Sequence, residues 1–343
     1  MLDLLMSTIV TRPWHSNGVE ISNLAETHSR TWCESNNMIN IQLGFTPSKV
    51  NRNNTKLVII GNSGELIKLD LEFNKIEEMT KPFPTPVVTG VIFEDIWVGI
   101  WMDRELKDTR IAALPLEKDW ADGIGRDELR LNSSDDPKII PNSAIWQKIL
   151  TSEPMALNKV DGNIIFALMN KGIYMIDKNG MEIWREHYPT WPEIGIKQDR
   201  NPIVKIIKGE SGIVIWSAAG GILELDEGRN LKRKIIIQLK DKITDVRYDK
   251  DGGWFLMMHG KSIALIKNLD DTPVVFRTPG PVMDAYFSEN EWNWTGWRHD
   301  GKLKITAEGI IEQYSDTHRE NIGIHIFDNK VINNDGQWEN YSS

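Results

Sequence analysis

A ten-residue segment, 291–300 (EWNWTGWRHD), concentrates side-chain types that recognise ligands. Trp292 and Trp294 alternate along it, and alternate residues of a β-strand face the same side of a sheet. Indole rings on one side, edged by polar groups, predict an aromatic platform for a sugar, a base or a peptide. The same alternation is typical of tryptophans packed between sheets, and this is the interpretation that we favour. The candidate binding residues here are Trp292, Trp294, Trp297, Arg298 and His299.

A second candidate lies in the proline-rich segment 187–193 (HYPTWPE), which contains Trp191. Proline fixes the backbone and so lowers the ordering cost of binding. The segment is therefore expected either to contact a partner through Trp191 or to be a plain linker between two repeats.

Segment 119–136 carries six acidic and two basic side chains, too polar for a core and long for an ordinary loop. We expect a mobile acidic loop with one helical turn. A docking insertion and a Ca²⁺-binding loop are the alternatives, because hard cations prefer clustered carboxylates. The EF-hand spacing D-x-[DN]-x-[DN]-G is absent from it.

No residue pattern identifies a catalytic or metal centre. The chain has seven histidines, none paired at i and i+4, and its one cysteine, Cys33, cannot form an internal disulfide. We find no G-x-S-x-G elbow and no glycine-rich loop opening a helix. We therefore predict no catalytic residues, no metal and no cofactor.

Short apolar or alternating runs dominate the chain, and they are bounded by Gly, Asn, Asp and Pro. Such runs are typical of β-strands. Helical periodicity is nearly absent, so the sequence predicts an all-β fold with many short strands, that is, a sandwich, a barrel or a propeller.

Internal repeats favour the propeller. Gly172–Asp177 (GIYMID) and Gly221–Asp226 (GILELD) share a pattern of Gly, four strand residues and Asp, about 50 residues apart. Units of this length with four strands each predict a single β-propeller of about seven blades, with six or eight as alternatives. The predicted blades are residues 38–80, 83–118, 140–188, 200–238, 240–277 and 280–315, with 1–36 and 316–343 sharing the closing blade. Segment 119–139 is set apart as a polar acidic insertion.

Gly172, Asp177, Gly180 and Trp184 resemble the blade motif of quinoprotein-like (PQQ-like) propellers, and the repeat as a whole is WD-repeat-like. In the quinoprotein-like family the tryptophan packs flat between neighbouring blades. The resemblance is strong in this one repeat. It implies the fold and no particular function.

The formal net charge is −9 and the sequence pI is about 5.4, so the surface repels phosphate backbones and we expect no nucleic-acid partner. No run approaches the roughly 18 apolar residues of a membrane span. The N-terminal segment has neither a basic start nor a small-residue cleavage site. With a single cysteine, these features predict a cytoplasmic protein without a membrane partner.

Together these observations predict an interaction or scaffold propeller that binds a protein or peptide on one face. The alternatives are a propeller enzyme of lactonase, glycosidase or lyase type, which could depend on a divalent metal, and a carbohydrate-binding module built on the tryptophan-rich strand.

Overall fold

In a computed structural model, the described residues are 42–132, 136–305, 311–313 and 317–341. Their strands pair antiparallel, nearly always with a neighbour in sequence, and form six sheets. One α-helix, α1 (Arg126–Leu131), and two short 3-10 helices, Pro192–Ile194 and Gln198–Arg200, complete the regular structure of these ranges.

The first three sheets follow one another along the chain. Sheet 1 contains β1 (Pro47–Arg52), β2 (Lys56–Gly61) and β3 (Leu66–Asp70). Sheet 2 contains β4 (Val87–Phe93), β5 (Ile96–Asp103), β6 (Asp108–Pro115) and β7 (Trp146–Ile149). Sheet 3 contains β8 (Pro154–Val160), β9 (Asn163–Leu168), β10 (Gly172–Ile176) and β11 (Glu182–Glu186).

The other three sheets continue in the same order. Sheet 4 contains β12 (Ile203–Gly209), β13 (Gly212–Ser217), β14 (Gly221–Leu225) and β15 (Leu231–Ile236). Sheet 5 contains β16 (Ile243–Asp249), β17 (Gly253–Met258), β18 (Ser262–Ile266) and β19 (Val274–Arg277). Sheet 6 contains β20 (Val282–Ser288), β21 (Glu291–Ile305), β22 (Ile311–Gln313), β23 (Thr317–Phe327), β24 (Lys330–Asn333) and β25 (Trp338–Asn340).

The second strand of a sheet is apolar along most of its length. The strands β9 (NIIFAL) and β17 (GWFLMM) are buried at almost every residue, because neighbouring sheets cover both of their faces. The outer strand β15 (LKRKII) is instead largely exposed and rich in charge. The sequence therefore distinguishes the inner part of each sheet from its rim.

Glycine is required where β9 turns into β10. Gly172 has φ 154°, and a Cβ atom there would lie 2.4 Å from the Glu186 carbonyl oxygen on β11. The first residue of the repeated Gly…Asp pattern must therefore be glycine here, because the third and fourth strands approach each other too closely for a Cβ atom.

The sheets pack face to face in a closed ring. Six apolar clusters each join two neighbouring sheets. Sheet 6 contacts sheet 5 through Trp292, Trp294 and Phe255, and it contacts sheet 1 through Phe327 and Trp338. The architecture is that of a β-propeller, as the sequence predicted.

The described strands give six blades, so the predicted count of seven is wrong and the alternative of six is confirmed. The reason lies in β21 and β23, which are 15 and 11 residues long. They pair with each other and so join the predicted sixth repeat to the C-terminal strands in one sheet. Residues 1–36, the predicted partners of 316–343 in a closing blade, lie outside the described residues.

Segment 119–139 lies between the third and fourth strands of sheet 2. Trp146–Ile149, which the sequence analysis placed in the following repeat, pairs with β6 and completes this sheet. The insertion therefore interrupts one blade and does not separate two. It contains the expected helical turn, α1.

Candidate functional site

Two of the predicted platform residues are in the core. Trp292 and Trp294 are 1% and 0% exposed and pack with Phe255 between sheets 5 and 6. Trp292 Nε1 donates a hydrogen bond to the Gly252 carbonyl oxygen, 3.0 Å away. Their rings are out of a ligand's reach in this structure, and a binding role for them stays a prediction.

The remaining residues of that strand separate at a β-bulge. Arg298 adopts a left-handed backbone (φ 63°) at a register shift between Trp297 and His299. The bulge leaves Trp297 and Arg298 exposed and turns His299 inward, where it is 1% exposed. The His299 Nδ1 atom lies 3.2 Å from the Trp297 carbonyl oxygen.

Trp191 is buried in the linker between sheets 3 and 4. Its Nε1 donates to the Ile222 carbonyl oxygen at 3.2 Å, and its ring lies against Gly221, where a Cβ atom would be 2.4 Å away. Trp184, the tryptophan of the quinoprotein-like motif, packs against the same apolar cluster. In this position Trp191 fills the space between two blades.

The central channel brings together residues that the sequence did not single out. Seven strands border a cavity of about 910 Å³, because sheet 6 contributes both β20 and β23 and each other sheet contributes its first strand. Six of these strands have a β-bulge at their second residue, and β23 has one near its end, between Gly323 and His325. The bulged residues are Ser48, Val88, Met155, Val204, Thr244, Met283 and Ile324, and all of them line the cavity.

The residues that follow the bulges form a second layer of the channel wall. This layer is more polar than the first, and three of its four Lys and Asp residues lie on β12, β16 and β20. Its members are Lys49, Thr89, Ala156, Lys205, Asp245, Asp284 and His325. Because bulges re-aim side chains and recur at functional sites, the repeated bulge defines the channel as the candidate site.

Charges from three sheets form one network along this layer. Lys205 Nζ lies 2.9 Å from Asp245 Oδ1, and Arg247 bridges Asp245 and Asp284 at 2.5 and 2.6 Å. His325 Nδ1 contacts the other oxygen of Asp284. The network thus joins β12, β16, β20 and β23 around half of the channel.

Burial and charge have opposite effects on these groups. Burial alone would raise the pKa of Asp245, but Arg247 and Lys205 lower it to about 2. Burial would likewise raise the pKa of Asp284, but His325 and Arg247 hold it well below its usual range. Both carboxylates are therefore held ionised, and acid–base or metal chemistry at either one would first require breaking its ion pairs.

The acidic insertion is docked on sheet 2. Leu129 of α1 and Trp120 are buried in the cluster between sheets 1 and 2. Arg126 pairs with Asp103 and Glu105 at 2.7 and 2.8 Å. Over the described ranges, no group of three His, Cys, Asp or Glu side chains could hold a metal ion. Cys33, His15 and His28 lie outside them.

The channel residues carried a weak signal in the sequence. Lys205, Asp245, Arg247 and Asp284 are charged residues in the first strand of a repeat, where sheet packing alone favours apolar ones. What the sequence could not show is that strands about 40 residues apart bring them together.

Comparison with known proteins supports the fold. No protein-family model and no curated protein sequence matches this chain. BamB from Moraxella catarrhalis matches with a TM-score of 0.57 and 12% identity, over 85% of this chain and 84% of that one. The β-propeller domain of Cps50 (Swd1) from Myceliophteria thermophila matches with a TM-score of 0.57 and 11% identity, over 84% and 91%.

The chain is therefore a β-propeller repeat protein, which confirms the resemblance drawn from its repeats. At 11–12% identity the likeness concerns the fold alone. Within the described part of the chain, no helix is long and apolar enough to cross a membrane.

Proposed function

We propose that this β-propeller is an interaction module that binds a protein partner at one mouth of its channel, through Trp297, Arg298 and Met283. The observation that carries the proposal is the exposure of Trp297, whose side chain is 54% exposed although the chain's other predicted platform tryptophans are buried. Exposed apolar side chains indicate a binding surface where they form a patch, and Met283 on the neighbouring strand is also exposed.

The position of Trp297 ties it to the channel. Its backbone N–H donates to the Pro281 carbonyl oxygen at 2.9 Å, and Pro281 and Met283 both line the cavity. Met283 is itself 42% exposed. The three side chains thus belong to the neighbouring strands β20 and β21 at one end of the channel.

The chemistry of the three side chains also supports a protein partner. Trp, Met and Arg are enriched in the buried centres of protein interfaces, and Trp and Arg are frequent hot spots. Arg298 is held in a left-handed backbone conformation, which non-glycine residues adopt mainly where the surrounding structure imposes it. Such a fixed presentation lowers the entropy lost on binding.

Site-specific photocrosslinking tests this proposal. Benzoylphenylalanine is placed at position 297 of the protein in the cells that naturally produce it, and it should crosslink to a protein partner there. The same photocrosslinker at Leu231, a 59% exposed residue on the rim strand β15, should give no crosslink. Binding of the identified partner to purified protein should then weaken at least about tenfold in Trp297→Ala, with Leu231→Ala as the matched control.

Thermal unfolding separates a binding defect from misfolding, because an exposed side chain contributes little to the free energy of unfolding. The proposal is wrong if position 297 gives no more crosslink than position 231. It is equally wrong if both alanine variants bind the partner like the unaltered protein.

A further inference from the structure

The central cavity is divided by charge. On β12, β16, β20 and β23, the carboxylates Asp245 and Asp284 neutralise Lys205 and Arg247 within the ion-pair network. These two are the only carboxylates among the described residues that line the cavity. Among the residues that the structure describes, the opposite wall, formed by β1, β4 and β8, carries basic side chains and no acidic ones.

The basic side chains of that wall are Lys49, Arg52 and Lys159. Lys49 Nζ donates to the Val88 carbonyl oxygen on β4 at 2.8 Å. The Arg52 guanidinium extends from β1 toward the adjacent strand β23, where it lies 4.0 Å from the centre of the Phe327 ring. Across the described ranges, none of the three has a carboxylate oxygen within 4.0 Å. All three are exposed to the cavity and so accessible to a ligand.

This concentration of positive charge opposes the charge of the whole protein. The net charge is −9, yet this wall carries three cations that form no ion pair within the described ranges. Loss of solvation inside the channel lowers the pKa of Lys49, and Arg247 lowers it further while Asp245 opposes the effect. An anion placed beside the Lys49 ammonium group would offset both the lost solvation and the mutual repulsion.

The wall also offers neutral groups that suit a ligand. Asn51, which also lines the cavity, accepts a hydrogen bond from Trp97 Nε1 at its Oδ1 atom, 2.8 Å away, and its amide nitrogen is a further donor. Between the two basic strands lies β4, whose residues along the cavity are uncharged. They are Val88, Thr89, Gly90, Val91 and Ile92.

We propose that Lys49, Arg52 and Lys159 form a binding site for a small organic polyanion that carries phosphate or carboxylate groups. The cavity of about 910 Å³ is within the range of roughly 300–1,000 Å³ that small-molecule sites occupy. Three cations on neighbouring strands of one cavity match the charge of a diphosphate or a tricarboxylate. The site lies inside the channel, and it does not depend on the partner surface around Trp297.

Isothermal titration calorimetry on the purified full chain tests the proposal. The probes are inorganic pyrophosphate and citrate, each at constant ionic strength. At least one of them should bind with one site per chain. Replacing the three cations together, as Lys49→Gln, Arg52→Gln and Lys159→Gln, should weaken that binding at least about tenfold, because each removed cation loses a charge-assisted hydrogen bond.

A matched variant controls for net charge. Lys171→Gln, Arg200→Gln and Lys250→Gln remove three exposed cations outside the channel and should leave the affinity within about twofold. Lys159→Gln alone serves if the triple variant does not fold, and it should weaken binding at least threefold.

The two probes distinguish the chemistry of the ligand. Tighter binding of pyrophosphate would indicate a phosphate ligand, and tighter binding of citrate would indicate a carboxylate ligand. Either result supports the proposed site. The proposal is overturned if neither anion binds the unaltered protein at millimolar concentration. It is also overturned if the control variant loses as much affinity as the channel variant.

Discussion

Asp245 and Asp284 are ionised inside a protein channel, where charges lose much of their solvation. Each therefore depends on the basic groups around it, and Arg247 serves both carboxylates at 2.5–2.6 Å. Because Arg247 lies on β16 and Asp284 on β20, this pair also links sheets 5 and 6. Removing Arg247 would leave Asp245 paired with Lys205 and Asp284 beside His325, and the direct ion pair between sheets 5 and 6 would be lost.

The low pKa of Asp245 predicts a specific loss of stability in acid. Its pKa is about 2 in the folded protein against an ordinary value of 3.8, so folding favours the ionised form. The stabilisation is fully present above about pH 4 and is lost as the pH falls toward 2. It amounts to at most about 2 kcal/mol. Asp245→Asn should therefore lose less stability between pH 4 and pH 2 than the unaltered protein, as measured by urea unfolding at a series of pH values.

Asp251→Asn provides the control for that series. Asp251 is an exposed turn residue whose carboxylate has no ion pair among the described residues. Its substitution should leave the slope of stability against pH unchanged. A slope for Asp245→Asn equal to that of the control would show that the network does not stabilise the folded state.

The two tryptophans of β21 show why the sequence of one strand cannot distinguish a binding platform from core packing. Trp292 and Trp294 alternate as a platform would, and they also alternate as a packed strand does. The difference between the two is whether a second sheet covers the rings, and here sheet 5 does. That fact depends on residues about 40 positions away, so the local pattern of the strand could not supply it.

At the scale of elements, helix α1 of the insertion after β6 has a single buried side chain, Leu129. Helix α1 has six residues, too short to be stable by itself in water. Leu129 is fully buried, and it anchors the helix in the apolar cluster between sheets 1 and 2. The neighbouring Leu131 is 89% exposed.

These two leucines make a matched pair for experiment. Leu129→Ala should accelerate hydrogen exchange of the Leu129 and Asn132 amides, whose hydrogen bonds define the helix, because the anchor is lost. Exchange in β9 and β10 of sheet 3 should change little. Hydrogen-exchange mass spectrometry measures both regions in one sample.

Leu131→Ala removes a side chain of the same type from the same helix without removing a contact with the core. Exchange of α1 should then stay as it is in the unaltered protein. If both variants accelerate exchange equally, helix propensity and not docking of Leu129 determines the order of this segment.

The strands themselves were well predicted from their apolar runs and turn residues, since two-sided burial leaves a strong signature in strands such as β9 and β17. The grouping of strands was predicted less well. The polar segment 119–139 separates β6 from β7, so the fourth strand of sheet 2 looked like the start of the next repeat. The 15 residues of β21 bridged what looked like two repeats.

At the scale of the whole molecule, average charge conceals local charge. A net charge of −9 suggests an acidic surface that would attract basic partners, yet the channel gathers Lys49, Arg52 and Lys159 on one wall. Composition records only the sum. The separation of the two signs arises because the closed ring turns the first strand of every sheet toward one axis.

Closure of the ring makes each sheet depend on its neighbours on both sides. Sheets 1 and 6 meet at Phe73 and Trp338, whose ring centres are 4.2 Å apart, and Trp338 is 7% exposed. Opening this joint would expose one face of each sheet. Because no sheet has a core of its own, we expect the loss to spread around the ring.

Trp338→Ala should therefore destabilise the whole propeller by about 3–5 kcal/mol and accelerate hydrogen exchange in every sheet, including β9 and β10 on sheet 3. Trp216→Ala, at the joint between sheets 4 and 5 where Trp216 and Trp254 are 5.4 Å apart, should give the same distribution although it lies elsewhere in the ring. Hydrogen exchange measured strand by strand shows how far the destabilisation spreads around the ring. Urea unfolding, followed by fluorescence and by circular dichroism, measures its magnitude. Acceleration confined to sheets 1 and 6 in Trp338→Ala, with sheet 3 unchanged, would mean that the blades unfold as separate units and that the closed ring is not what makes them cooperative.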